Sequence, residues 1–307
     1  MTVRPIWSIE SISVVLILAT ALSCQDATSS SLLTDLSLRL TSQLGEKRDF
    51  FEGEPVYMVF SLSNRGSDTA WVMPFDFSAW SLDGDLRDSV GNELSKWGLI
   101  ADYFYPPGYR GEPLAPGKSL YQLPLIQDRW GVYSPEMRNL YFSHHLPPGR
   151  YTLRMHFYSS LPGPRLSSRV FDAEPITFRV HARTTAEEQS FQALQDLVAM
   201  PWDTAQRPAF LDSLMSSVRL RAPDDPIVPL LSRLLGTAWA IGYPPDSSMI
   251  DELALSATAA ARAQRATAGG AIAVLTVRYY RPAAFQALAQ ELAGSLAGEV
   301  ASSFLDR

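Results

Sequence analysis

The sequence is short of cysteine, lysine and histidine: one Cys, four His, and Lys only at 47, 96 and 118 in 307 residues. A single thiol cannot close a disulfide within the chain or fill a cysteine–zinc site, so the fold has to rest on packing. Nearly all positive charge is arginine, spread without clusters, and the net charge is −6. That balance argues against a nucleic-acid partner. No apolar run approaches the ~20 residues that a membrane-spanning helix needs. Standard catalytic signatures are missing as well. There is no phosphate-loop Gly-x-x-x-x-Gly-Lys, no His-Glu-x-x-His, no Gly-x-Ser-x-Gly and no Gly-x-Gly-x-x-Gly. No residue is therefore assigned a catalytic role, and no cofactor is implied.

What the chain does have begins at its N-terminus. Arg4 gives a thin positive region, offset by Glu10; residues 12–22 form an apolar core, and small residues Ala21 and Ser23 flank the lone thiol. Charge, greasy run and small-residue junction follow in the order of a secretory signal. The context Ala21-Leu22-Ser23-Cys24 resembles the lipobox of bacterial lipoproteins. That resemblance implies a signal peptide over residues 1–23. It also implies a Cys24 that becomes the acylated first residue of a mature chain, with the membrane as partner. Several acyl chains give stable attachment where one is marginal. Gln25 after the cysteine points to the outer membrane by analogy with enteric sorting, and residues 24–34 read as a lipidated, small and polar tether.

From residue 35 to 181 apolar residues recur with a period of two. Leu36, Leu38 and Leu40 open the pattern, followed by Val56, Met58, Phe60 and Leu62, and by Tyr121, Leu123 and Leu125. Tyr151, Leu153, Met155 and Phe157 continue it, and Ile176, Phe178 and Val180 close it. This is the signature of strands with one buried face. Turn chemistry separates the runs: Asn64-Arg65-Gly66-Ser67, Asp83-Gly84, Ala115-Pro116-Gly117 and Pro147-Pro148-Gly149. An antiparallel sandwich is predicted for 35–181. Glu52-Gly53-Glu54-Pro55 leads into a strand, two Pro-Gly turns precede closing strands, and Tyr151 stands where a tyrosine corner would bond back to the backbone. On these features the segment resembles an immunoglobulin-like β-sandwich. With Asp88-Ser89-Val90-Gly91-Asn92-Glu93 as a hairpin it is similar to the intracellular proteinase inhibitor family of bacilli.

After Arg183 the period becomes helical. Thr184 or Thr185 ahead of Glu187 and Glu188 starts a helix, and Phe191, Leu194 and Val198 form its stripe. Further stripes are Phe210, Leu214, Met215 and Val218, then Ile227, Leu230, Leu234, Leu235 and Trp239. An alanine-rich stretch over 253–268 follows, and a last stripe of Phe285, Leu288, Leu292, Leu296 and Val300. Gly269-Gly270 and Arg281-Pro282 read as breakers. Small alanine faces suit close helix hairpins like those of tetratricopeptide repeats, but the ~34-residue period of such repeats is absent. The expected fold is thus a two-domain chain, all-β then all-α. Residues 182–307 form a compact antiparallel helical array in this reading.

Few residues suggest chemistry. His144-His145, with His156 and His181, could ligate a metal, but His156 and His181 share the polar register with Arg154 and Arg179, which suits a solvated face. No metal site is assigned. Asp83, Asp85, Asp88, Asn92 and Glu93 could offer oxygens to Ca²⁺, yet Arg87 breaks the EF-hand spacing and hairpin formation explains them. The aromatic loop Tyr103, Phe104, Tyr105 and Tyr109, with Trp130, is the ligand-binding candidate, since loop rings stack on sugars or anchor proteins. The plainer alternative is that these rings cover an open end of the sandwich. The leading expectation is a lipid-anchored, outer-membrane envelope protein that binds or scaffolds a protein or glycan partner without catalysis. The alternatives are a carbohydrate or peptidoglycan binder using the 103–109 loop, a peptidase inhibitor presenting residues 159–164, and a hydrolase using His144 or His145.

Overall fold

The computed structural model describes residues 38–75, 81–96, 111–133, 144–158, 170–198, 207–230 and 247–305. Strands come first: β1 (Leu38–Gln43), β2 (Asp49–Phe51), β3 (Val59–Asn64), β4 (Ala70–Val72), β5 (Leu82–Arg87) and β6 (Glu112–Leu114). They continue with β7 (Ser119–Gln122), β8 (Val132–Tyr133), β9 (His144–His145), β10 (Gly149–Tyr158), β11 (Val170–Asp172) and β12 (Ile176–His181). Helices follow: α1 (Thr185–Val198), α2 (Arg207–Leu220), α3 (Ser247–Ala263), α4 (Ala268–Tyr280), α5 (Pro282–Glu291) and α6 (Leu296–Leu305). The chain is therefore a mixture of β-sheet and helix, and the change at residue 183 is where strands give way to helices. Among the described residues no helix is long and apolar enough to cross a membrane.

Two sheets face each other. One is three-stranded and antiparallel, in the order β1-β3-β7; the other runs β11-β10-β12-β2, with β5 pairing the free side of β10 and β2 parallel to β12. The period-two reading explains the packing between them. Leu40, Phe60 and Leu62 from one sheet meet Leu86, Leu153, Met155, Phe157, Phe178 and Val180 from the other. Tyr151 joins them as expected of a tyrosine corner, its hydroxyl donating to Pro147 O at 2.6 Å.

Asp83-Gly84 does not make the predicted turn. Both lie inside β5, where Leu82 and Leu86 point to the core and Asp83, Asp85 and Arg87 point out. Gly84 is needed there because a Cβ would overlap the Arg154 carbonyl of the adjoining β10. The turn lies further on, at residues 88–92, where Asp88 Oδ1 accepts from the Val90 and Asn92 amides at 2.9 Å each.

The helical half departs from the prediction in two places. Gly269 and Gly270 do not break a helix. They form the first turn of α4, behind the N-cap Thr267, whose side chain accepts from the Gly270 N–H. The stripe from Phe285 to Val300 is divided between α5 and α6, because the chain turns through Gly294 at φ +81°. Elsewhere the alanine pattern holds: Ala257, Ala260, Ala261, Ala273 and Ala297 are buried in a small-residue core with Val274, Val277 and Phe285.

The strand and helical halves do not keep separate cores. Phe51, Tyr57, Val59 and Leu125 share one apolar cluster with Phe191, Met215, Val218, Ile227, Leu230 and Leu253. Tyr121 and Leu123 pack against the same cluster. On the outer face of the three-stranded sheet Val59 and Tyr121 thus pack against helices, while Thr41 bonds Ser61 and Ser63 bonds Ser119 further along the same face. The backbone makes the same joint. Glu46 N donates to Ala266 O at 2.9 Å and Ala268 N to Leu44 O at 3.3 Å, around Gly45 at φ +78°.

Candidate functional site

The joint leaves a polar cleft of about 360 Å³, lined among others by Lys47, Asp49, Glu54, His181, Glu187 and Asp224. Its floor is the turn at residues 51–54. Gly53 sits at φ +86°, with its α-carbon so close to α1 that a Cβ would overlap the Phe191 ring. Only glycine meets both conditions at low cost. The turn carries Glu54 inward, where it is 2% exposed. Its carboxylate accepts from the Phe51 N–H at 3.1 Å and pairs with the Lys47 ammonium. Its carbonyl accepts from Gln127 Nε2 at 2.6 Å, and Gln127 Oε1 accepts from the Val56 N–H at 3.1 Å. Burial is the largest influence on Glu54 and holds its carboxyl above the usual range; Lys47 and the Phe51 N–H offset this in part, and Glu187 adds to it.

The opposite wall comes from α1. Of the two threonines the sequence offered as the helix start, Thr184 forms a capping box with Glu187: Glu187 N donates to Thr184 Oγ1 at 3.4 Å, and Thr184 N donates to Glu187 Oε2 at 2.7 Å. Burial pushes the Glu187 carboxyl up. The Thr184 hydrogen bonds and the charges of His181 and Lys47 outweigh it and leave the group below its ordinary value. His181 Nε2 lies 3.7 Å from Glu187 Oε1. Arg183 fastens the helix to the sheet by donating to Glu52 O at 2.9 Å and lying 4.0 Å over the Phe191 ring. On the third side Asp225 accepts from Arg221 at 2.7 Å and from the Ile227 N–H at 2.9 Å. The cleft offers fixed carboxylates and one ammonium, suited to holding a polar group by ionic and hydrogen bonds.

The residues singled out from sequence are scattered rather than gathered here. Cys24, Tyr103, Phe104, Tyr105 and Tyr109 lie outside the described residues. Trp130 is a correction: it is 0% exposed, sealed in the core between the sheets, with the Arg129 guanidinium 5.8 Å from its ring. A ring without exposed surface cannot stack on a ligand. The histidines pair with different acids. His145 Nε2 is 3.5 Å from Glu52, while His156 Nδ1 is 2.5 Å from Asp172. His144 is held below its usual value by burial and by neighbouring His145. Among the described residues no three metal-ligating side chains converge. Asp83 is bound by Arg129 at 2.9 Å and Lys96 at 3.3 Å, and Asp85 by Arg87 at 2.6 Å, so these carboxylates brace β5.

The reading of motifs missed Lys47, Gln127 and the burial of Glu54. One signal was available: Glu54 is an acid at the head of the apolar run Val56, Met58, Phe60.

No protein-family model and no curated protein matches the chain. Among solved structures it is similar to native alpha-2-macroglobulin from Escherichia coli, spanning domain MG7 to the C-terminus, at 11% identity. The TM-score is 0.24, over 86% of this chain and 52% of that one, so the chain spans about half the length of that relative. An overlap this low carries no argument about fold or function.

Proposed function

We propose that the protein is a lipid-anchored envelope protein of the outer membrane that binds or scaffolds a partner and catalyses no reaction. In this reading an immunoglobulin-like sandwich over 35–181 and a helical array over 182–307 form its working part. The observation that carries the reading is the position of the only cysteine, at the end of an apolar leader in the setting Ala21-Leu22-Ser23-Cys24. The cleft supports a static role. Lys47 is committed to Glu54, Glu187 to Thr184 and Asp225 to Arg221, an arrangement that fixes charges in place for recognition. The Tyr151–Pro147 bond supports the immunoglobulin-like reading of the strand half.

The test is fractionation of bacteria making the wild type or Cys24→Ser, grown with labelled palmitate. The wild type is expected in the membrane fraction carrying label, and the variant free of label and released from lipid. An unlabelled wild type, or a variant that fractionates identically, refutes the anchor.

A further inference from the structure

The outer face of the five-stranded sheet carries three arginines, and among the described residues none of them forms an ion pair. Arg150 of β10 stands directly opposite Arg179 of β12, and Arg154 follows on the same face of β10. All three are exposed. Thr152 and Thr177, with hydroxyls 3.4 Å apart, separate the Arg150–Arg179 row from Arg154. Like charges directly opposite on neighbouring strands, with Cβ atoms ~5 Å apart, destabilise a sheet.

The nearby acids are already engaged. Asp85, across from Arg154, is held by Arg87 at 2.6 Å and lies 3.8 Å from His156. Asp172 bonds His156, and Asp83 bonds Arg129 and Lys96. Asp49, beside Arg179 in the parallel register, is the remaining acid in that row, and it forms no ion pair with Arg179. Across this face Arg87, Arg150, Arg154 and Arg179 stand with Asp49, Asp83, Asp85 and Asp172, and Arg150, Arg154 and Arg179 are gathered on β10 and β12 while the acids lie on the adjoining strands.

We propose that the Arg150–Arg154–Arg179 face docks the folded part onto anionic headgroup phosphates of a membrane, a proposal that rests on the membrane-tethered reading above. Guanidinium groups bind phosphate oxygens in a bidentate fork, and a phosphate set between Arg150 and Arg179 relieves their mutual repulsion. Residues 25–37 span at most about 45 Å. In the anchored reading, the face that meets the lipid is the one whose charge complements it.

The test uses the full chain carrying Cys24→Ser, so that no acyl group contributes. It is sedimented with vesicles of phosphatidylcholine alone, or of equal parts phosphatidylglycerol and phosphatidylcholine. Every variant carries the same leader, so the readout is the ratio of the two partition constants, compared between variants. The ratio is expected to exceed one. It should fall about fivefold for Arg179→Gln and about a hundredfold for Arg150→Gln/Arg154→Gln/Arg179→Gln, at roughly one such factor per arginine. Salt at about 1 M, where the screening length is near 3 Å, should erase it. Because Arg179→Gln removes a repulsion, its melting temperature should hold or rise, which separates lost docking from lost folding. Arg179→Lys, which keeps the charge, should keep the preference.

A triple variant that retains the parent's anionic preference overturns the proposal. So does a parent with none, or one whose arginine face binds millimolar inorganic phosphate equally well in the absence of vesicles. Palmitate labelling of the wild type reads the anchor separately. A labelled, membrane-bound protein whose triple variant keeps its preference leaves the anchor standing and removes the face.

Discussion

Replacing Lys47 by Met removes the counter-charge of a carboxylate that is 2% exposed, leaving the Phe51 N–H as its remaining hydrogen-bond donor. Breaking a buried pair from one side costs ~3–5 kcal/mol, but the Lys47 side chain is 33% exposed, so solvent screening lowers the expectation to about 2–3 kcal/mol near neutral pH. The loss should depend on pH in a defined direction. Glu54 already holds its proton more tightly in the folded state than in the unfolded chain, and losing Lys47 strengthens that preference. The stability linked to the bound proton is complete below the unfolded carboxyl value and is lost as pH rises through the folded value. The variant should therefore weaken relative to wild type with rising pH, by up to about 1.4 kcal/mol per unit, and its deficit should shrink to ~1 kcal/mol near pH 5. Urea unfolding followed by tryptophan fluorescence, at mildly acidic and neutral pH, measures both values. Adding Glu54→Gln to the variant should recover part of the neutral-pH loss, since an amide needs no counter-ion. A deficit equal at the two pH values, or larger in acid, would show that Glu54 is not the group responsible.

Gly45→Ala places a side chain against the Ala266 carbonyl at a backbone angle of φ +78° and should cost at least ~2 kcal/mol. Hydrogen exchange should show the loss spreading into both β1 and α4; exchange that rises in only one half contradicts the shared joint. Tyr151→Phe removes the bond to Pro147 O and should cost about 1 kcal/mol at neutral pH. In the wild type, burial, with Asp88 and Glu52 adding to it, pushes the Tyr151 phenol up to about 12. Its stabilisation is therefore present below the ordinary phenol value and lost as pH rises through the folded one. The variant should lose one proton's share of the alkaline decline, about 1.4 kcal/mol per pH unit, and an unchanged alkaline limb in chemical denaturation would refute this.

Strand faces were legible in the sequence wherever one side met the core between the two sheets and the other met water, as in β10 and β12. They were less legible where both sides are covered. Tyr121 read as a member of the sandwich alternation, yet with Val59 it packs in the cluster shared with the helices, a contact that period alone cannot disclose. Gly84 looked like a turn residue because glycine in sequence signals either a bend or a close approach, and only the partner strand distinguishes them. Gly269-Gly270 misled in the same way, since Thr267 caps the helix ahead of them. The capping box at Thr184 was readable because its partners lie three residues apart. The Lys47–Glu54–Gln127 arrangement was not, because Gln127 reaches the turn across 73 positions of chain.

The route of β1 has a mechanical consequence. Traction on the chain ahead of Leu38 enters a strand held to β3 through six paired positions, from Leu38–Asn64 to Gln43–Val59, and a pull along the strand strains these in parallel. Just past Gln43, Leu44 and Glu46 are bonded to Ala268 and Ala266. Force applied at the amino end thus passes through a shear ladder and then into the α3–α4 hairpin, so the helices serve as ballast for the strand that would take the strain.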